Sequence, residues 1–186
     1  MQMGEEFNID DRNELLLLAR SSISNFLEHG KKMAVEKIPE KFNMKRGAFV
    51  TLHKEGALRG CIGYPLPVFP LYNTIVDNAL SAAFEDPRFP VLVNDELDVI
   101  DIEISVLTVP EEVEDHKEVK VGRDGIIISK HGFRGLLLPQ VPVEQGWNLE
   151  QYISYGCMKA GLRDDEWKRG VNIEIFQAEV FGEKDV

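Results

Sequence analysis

The residues best placed to do chemistry lie in "AFVTLHKEGALRGCIG", residues 48–63. Cys61 follows Arg59 by two positions. Side chains two apart on a strand point the same way, with β-carbons ~7 Å apart. A guanidinium within reach favours the thiolate over the thiol, and the thiolate is the nucleophile. The pair therefore suits thiol chemistry, with Cys61 attacking and Arg59 stabilising the anion or holding an anionic substrate. No histidine stands beside Cys61 in sequence to act as its base. His53 is nearest, diagonal to Arg59 on the same hairpin face, and Asp86 of "DPRFP" is the other candidate to handle protons. Gly60, Gly63 and Arg88 are candidate ligand contacts. The competing reading is a packed thiol, because cysteine is often a small buried hydrophobe.

These residues need a scaffold. Two apolar runs flank Lys54-Glu55-Gly56, which reads as a three-residue hairpin loop with glycine in the left-handed position. That loop places Leu52 opposite Leu58, Thr51 opposite Arg59, Val50 opposite Gly60 and Phe49 opposite Cys61. Val50, Leu52, Leu58 and Ile62 then form a core face, and Arg59 and Cys61 share the other. Before the hairpin, Leu15, Leu16, Ala19, Ile23, Phe26 and Leu27 predict a helix over 12–30, capped by Asp11 with Glu14 and ended by Gly30. After it come the extended connector "YPLPVFP", a helix over 72–85 stopped by Asp86-Pro87, and the alternating strand "VIDIEISVL". "PEEVEDHKE" reads as an exposed acidic loop.

The second half repeats this order. "GIIISKHGFRGLLLP" is a hairpin, "PQVPVEQGWN" a proline-bearing connector, 149–160 a helix capped by Asn148, and "VNIEIFQ" a strand. Arg59-Gly60 and Arg134-Gly135 stand 75 residues apart, as do Pro67 and Pro142. The expectation is an α+β protein of two related hairpin–helix–strand units, 48–107 and 126–180, with mostly antiparallel sheets and an N-terminal helix. Glycine after each arginine would let another segment approach the strand closely. Leu136 stands where the first half has Cys61, so packing alone does not require the thiol.

Other groups carry less. Asp86-Pro87-Arg88 could supply a carboxylate and a cation, or simply an Asx-type turn. Glu103 and Glu174 hold matching places on two strands whose polar faces meet water. Trp147 could stack a ligand or anchor its loop. No phosphate-binding glycine loop is present, and the four histidines and two cysteines show no metal-ligand spacing. No metal and no cofactor is expected. The net charge of −11 argues against general nucleic-acid binding. The longest apolar run, Leu15–Ala19, is far short of the ~18 residues of a membrane helix. "MQMGEEF" lacks the layout of an export signal, and two cysteines without CxxC spacing suit a reducing cytoplasm.

"LRGCIG", "AAFEDPRFP", "IEISVLT", "LLLPQVPVEQGWN" and "KAGL", in this order, resemble the AMMECR-type family, named after the Alport syndrome, midface hypoplasia and elliptocytosis chromosomal region. The resemblance covers roughly residues 10–181. It implies one mixed α/β domain spanning 1–186, with two subdomains, the larger built from both chain ends, and a cleft between them. It carries the family motifs onto Leu58–Gly63, onto Asp86, Arg88, Phe89 and Pro90, and onto Pro139, Gln145, Gly146 and Trp147. Val91 replaces a common proline and Pro142 a usual small residue, both in connectors. The resemblance supplies no settled reaction. It implies an association with Memo-type and radical S-adenosylmethionine proteins. Two function classes follow: a thiol-dependent enzyme centred on Cys61, or a non-catalytic binding or adaptor module for a small molecule or peptide, with Gln145 and Trp147 as further ligand contacts.

Overall fold

The computed structural model of the chain describes residues 6–34 and 38–185. The opening residues 1–5, part of the stretch read above for an export signal, lie outside the described residues. Two compact units are present, one formed by Met1–Leu107 with Glu179–Val186, the other by Thr108–Ala178.

The first unit opens with α1 (Ile9–His29). The Asn8 side chain accepts the Asp11 N–H at 3.0 Å and Asp11 accepts the Asn8 N–H at 3.1 Å. This capping box starts the helix about one turn before the expected Asp11–Glu14 cap. Gly30, at φ 65°, ends it. Strands β1 (Ala48–Lys54) and β2 (Ala57–Tyr64) form the hairpin. Helix α2 (Leu71–Phe84) follows, then β3 (Ile100–Leu107). Chain order continues into the second unit with β4 (Glu111–Val113), β5 (Gly125–Lys130), β6 (Phe133–Leu137), α3 (Gln140–Glu144), α4 (Leu149–Lys159) and β7 (Asn172–Phe176). Strand β8 (Ala178–Gly182) joins the first sheet.

The fold is α+β with two four-stranded antiparallel sheets, ordered β2-β1-β3-β8 and β4-β7-β5-β6. Read from the outer hairpin strand, the first three strands of the two sheets have one connectivity, whereas the fourth follows the other three in the chain in the first sheet and precedes them in the second. In the first unit α1 and α2 bury Leu15, Ala19, Ile23, Ile75, Val76 and Ala79 against Val50, Leu52, Ile102 and Ile104. Each Leu, Ile or Val among them contributes about 1.5–3 kcal/mol by leaving water, and each Ala roughly 0.8 kcal/mol. In the second unit α4 buries Tyr152, Ile153 and Cys157 against Ile126, Ile128 and Ile173.

Two segments differ from the sequence reading. Glu111–Val113 of the expected acidic loop pairs with β7 as an edge strand. Gln140–Glu144 of the expected proline-bearing connector winds into a short helix.

The register of the first hairpin also differs. Its loop has two residues, Glu55 and Gly56, both left-handed at φ 53° and 78°. Such a turn matches the twist of the strands it joins. Lys54 therefore faces Ala57, and His53 faces Leu58. The register then shifts, so that Leu52 faces Gly60, Thr51 faces Cys61 and Val50 faces Ile62. Arg59 is the extra residue of a β-bulge. Val50 and Leu52 are buried and Ile62 packs on the core, as expected. Leu58, expected inside, is 42% exposed because the bulge reverses its face.

Candidate functional site

Strand β2 is an outer strand, so alternate peptide groups have no strand to bond. At Cys61 those groups are closed by side chains. The Cys61 N–H donates to Asp86 Oδ2 at 2.9 Å, and Arg88 Nη2 donates to the Cys61 carbonyl oxygen at 3.0 Å. With its peptide turned outward, Cys61 forms the closer, non-hydrogen-bonded type of pair with Thr51. The Thr51 hydroxyl accordingly donates to Cys61 Sγ at 3.3 Å. The thiol is partly exposed.

The sequence places Asp86 and Arg88 here by ending α2 at Phe84 ahead of Asp86-Pro87, where proline disfavours further helix. Arg88 grips Asp86 with two parallel bonds, Nε to Oδ1 at 2.9 Å and Nη2 to Oδ2 at 2.6 Å. The Arg88 backbone N–H adds a bond to Oδ1 at 3.1 Å. The Arg88 guanidinium, helped by the Cys61 and Arg88 N–H groups, holds the Asp86 carboxyl well below the usual carboxylate range despite burial. Asp86 is buried, whereas 54% of the Arg88 side chain is exposed. A fixed cation with an open outer edge thus stands at the Cys61 peptide.

Arg59 is used differently. The bulge turns it into a buried position beside Glu96, where Nε and Nη2 donate to the two carboxylate oxygens at 3.0 and 2.8 Å. Lys54 Nζ reaches the same carboxylate at 2.9 Å. Arg59, then Lys54 and the Val93 N–H, lower the Glu96 carboxyl from its ordinary 4.5 to about 2, against burial. Arg59 Nη1 is buried with no hydrogen-bond partner.

Gly60 and Gly63 allow close packing. A β-carbon on Gly60 would collide with the Ala82 carbonyl oxygen of α2, and one on Gly63 with the Phe49 ring. His53 lines a groove of about 290 Å³ with Asp101, Glu103 and Lys184, a lining that includes neither Cys61 nor Arg59. Gln145 and Trp147 belong to the second unit. Gln145 closes α3 and is exposed, and Trp147 stacks on Tyr155 at 3.9 Å with an interplanar angle of 5°. The structure thus brings Cys61, Asp86 and Arg88 into direct contact. It engages Arg59 with Glu96 and sets His53 in a different groove.

Thr51, Lys54 and Glu96 were not singled out from sequence. One signal for the bulge was available. The turn glycines Gly56 and Gly132 are 76 residues apart, but the strand glycines Gly60 and Gly135 are 75 apart. The first hairpin therefore holds one residue more between turn and glycine.

The second cysteine has a different setting. Cys157 is fully buried in the α4 core, and burial pushes its thiol up. Among the described residues no group of three or more His, Cys, Asp or Glu could hold a metal ion. No helix among them is long and apolar enough to cross a membrane.

Comparison with known proteins adds the following. The family profile described as AMMECR1 matches residues 16–181. Protein MJ0810 of Methanocaldococcus jannaschii is 50% identical over 174 residues, covering 89% of this chain and 86% of its own. Protein MK0488 of Methanopyrus kandleri is 44% identical, covering 98% and 93%. The crystal structure of the uncharacterized protein PH0010 from Pyrococcus horikoshii is similar at a TM-score of 0.77 and 41% identity, covering 92% and 91% of the two chains.

Proposed function

We propose a binding function for this chain, which belongs to the AMMECR1 family: the β2 edge at Cys61 captures an anionic group of a small molecule or peptide. The observation that carries this reading is the Asp86–Arg88 clamp, which fixes a guanidinium at the Cys61 peptide and leaves its outer edge open. Arg88 receives the anion by charge-assisted bonds. Asp86 positions Arg88; bonded by four N–H groups, it is a weak base. Gly60 and Gly63 keep the strand close to α2 and β1.

The test is a calorimetric screen of carboxylate- and phosphate-bearing metabolites and short acidic peptides. A true ligand should bind at least about tenfold more weakly to the Arg88→Ala and Arg88→Lys variants. It should keep its affinity for the Cys61→Ala variant. Equal binding to all variants would sink the proposal, as would a screen in which no anion binds.

One observation favours the thiol-dependent enzyme as a second reading. The Thr51 hydroxyl donates to Cys61 Sγ, and a hydrogen bond to the sulfur stabilises its charged form. If Cys61 is the nucleophile, Thr51→Val should lower its alkylation rate at neutral pH. A rate unchanged by Thr51→Val leaves only the binding function. We also read the two hairpin–helix–strand units as copies of one ancestral unit, which the matching orders β2-β1-β3 and β6-β5-β7 support.

A further inference from the structure

The second sheet carries an outer hairpin strand that lacks the closure found on the first. Strand β6 is the edge of the order β4-β7-β5-β6. Its hairpin loop is His131-Gly132, both left-handed at φ 50° and 85°. A two-residue loop of this kind makes the closing pair, Lys130 and Phe133, the one that exchanges backbone hydrogen bonds. Bonded and non-bonded pairs alternate from there. Gly135 and Leu137 bond to β5, whereas Arg134 and Leu136 turn their N–H and C=O groups outward. Among the described residues no side chain or loop backbone bonds to those four groups. Cys61, the counterpart of Leu136, has both groups closed by Asp86 and Arg88. The segment after α4 does not supply such a clamp. Its Glu166 bonds instead to Lys130 and Arg163.

Unpaired peptide groups on a strand edge are a template for another strand. We infer that β6 binds an extended peptide, added as a fifth strand, carrying an acidic residue beside Arg134 and an apolar residue against Phe133. The side chains argue for that chemistry. The Arg134 side chain is 44% exposed and commits only Nη2, to Glu174 at 2.9 Å. Phe133 is 53% exposed. Both line a groove of about 490 Å³ with Lys130 and His131, a lining that contains no carboxylate. The net charge of −11 favours a short peptide with one or two acidic residues over a long polyanion.

The test uses the full chain and two measurements. In hydrogen exchange, the Arg134 and Leu136 amides should exchange fast in the free protein, beside slow amides at Gly135 and Leu137. Arg134 and Leu136 amides as slow as their neighbours would overturn the inference, because the edge would already be paired. In fluorescence anisotropy, a labelled short peptide alternating valine and aspartate should bind. It should bind at least about tenfold more weakly when its alternate amides are N-methylated, when lysine replaces aspartate, or when the protein carries Leu136→Pro. Proline at that position removes only an outward N–H, and Arg134→Glu is the second variant should Leu136→Pro fail to fold. No binding, or equal binding of the N-methylated peptide, would overturn the inference. So would a dimer that Leu136→Pro dissolves, since the occupant would then be a second copy of the chain.

Discussion

The two hairpins begin from nearly the same residues and reach different ends. Each has a two-residue left-handed loop, an Arg-Gly pair and a glycine pressed against a helix. In the first, one additional residue makes a bulge, and Arg59 is buried on Glu96. In the second the register is continuous, Arg134 stays half-exposed, and its carboxylate partner is Glu174. The first outer edge is then closed by Asp86 and Arg88, while the second stays open. A single inserted residue thus separates a cation used for structure from one left at the surface. The difference also shows that the arginine near the Cys61 peptide is Arg88, contributed by the turn after α2, while Arg59, two residues away in sequence, serves Glu96.

The glycines test what the hairpins share. A β-carbon at Gly60 meets the backbone of Ala82, and one at Gly135 meets the backbone of Lys159 and Ala160. Backbone atoms of a packed helix cannot move aside cheaply. Gly60→Ala and Gly135→Ala should each cost about 3 kcal/mol, read by urea denaturation. A benign result at one site alone would break the equivalence of the two units.

Asp86→Asn tests what they do not share. It keeps an acceptor for the Cys61 N–H but removes the charge gripped by Arg88. The loss should be about 2 kcal/mol, less than for a fully buried pair because Arg88 is half-exposed. Neutralising the Glu174 partner of Arg134, as Glu174→Gln, should cost under about 0.5 kcal/mol, as exposed pairs do.

Acid should separate the two arginines as well. Glu96 titrates lower in the folded protein than its ordinary 4.5, at about 2. A depressed carboxyl gives stability that is fully present above the unfolded value and is lost as pH falls through the folded one. Wild-type stability should therefore decline between about pH 5 and pH 2. Glu96→Gln should be less stable at neutral pH, with a shallower decline over that window. An unchanged slope would show that Arg59 draws little from its partner.

Much of this architecture was legible in the chain. Alternation in "VIDIEISVL" and "VNIEIFQ", the Asn148 cap and the order of elements give both units, because those signals are local. The close helix contact at Gly60 and Gly135 was also readable, since the same dipeptide recurs where a side chain would obstruct. The charge network was not. Arg59 finds Glu96 37 positions away, and Cys61 finds Asp86 25 positions away. Alternation assigns a face to Arg59 only if the register is unbroken, and the bulge breaks it. The short strand β4 was hidden because its residues, Glu111 and Glu112, have the composition of a loop.

A small effect also bears on the thiol itself. Cys61→Leu copies the second hairpin into the first and should change stability by less than about 1 kcal/mol, since Cys61 is only half-buried. Leu136→Cys, in a chain that also carries Arg134→Ala, places a thiol at the matching position with neither an Asp86–Arg88 clamp nor a neighbouring cation. The readout is the ratio of alkylation rates with anionic iodoacetate and neutral iodoacetamide, which cancels differences in exposure and thiolate fraction. A cation ~7 Å away in water is worth ~0.6 kcal/mol to an approaching anion, about threefold in rate. Cys61 should show a ratio about threefold above that of the introduced thiol, and Arg88→Ala should abolish the difference. Buried Cys157 should react slowly with both reagents. If the two thiols give one ratio, Arg88 does not reach the space in front of the sulfur, and the clamp serves only to close the strand edge.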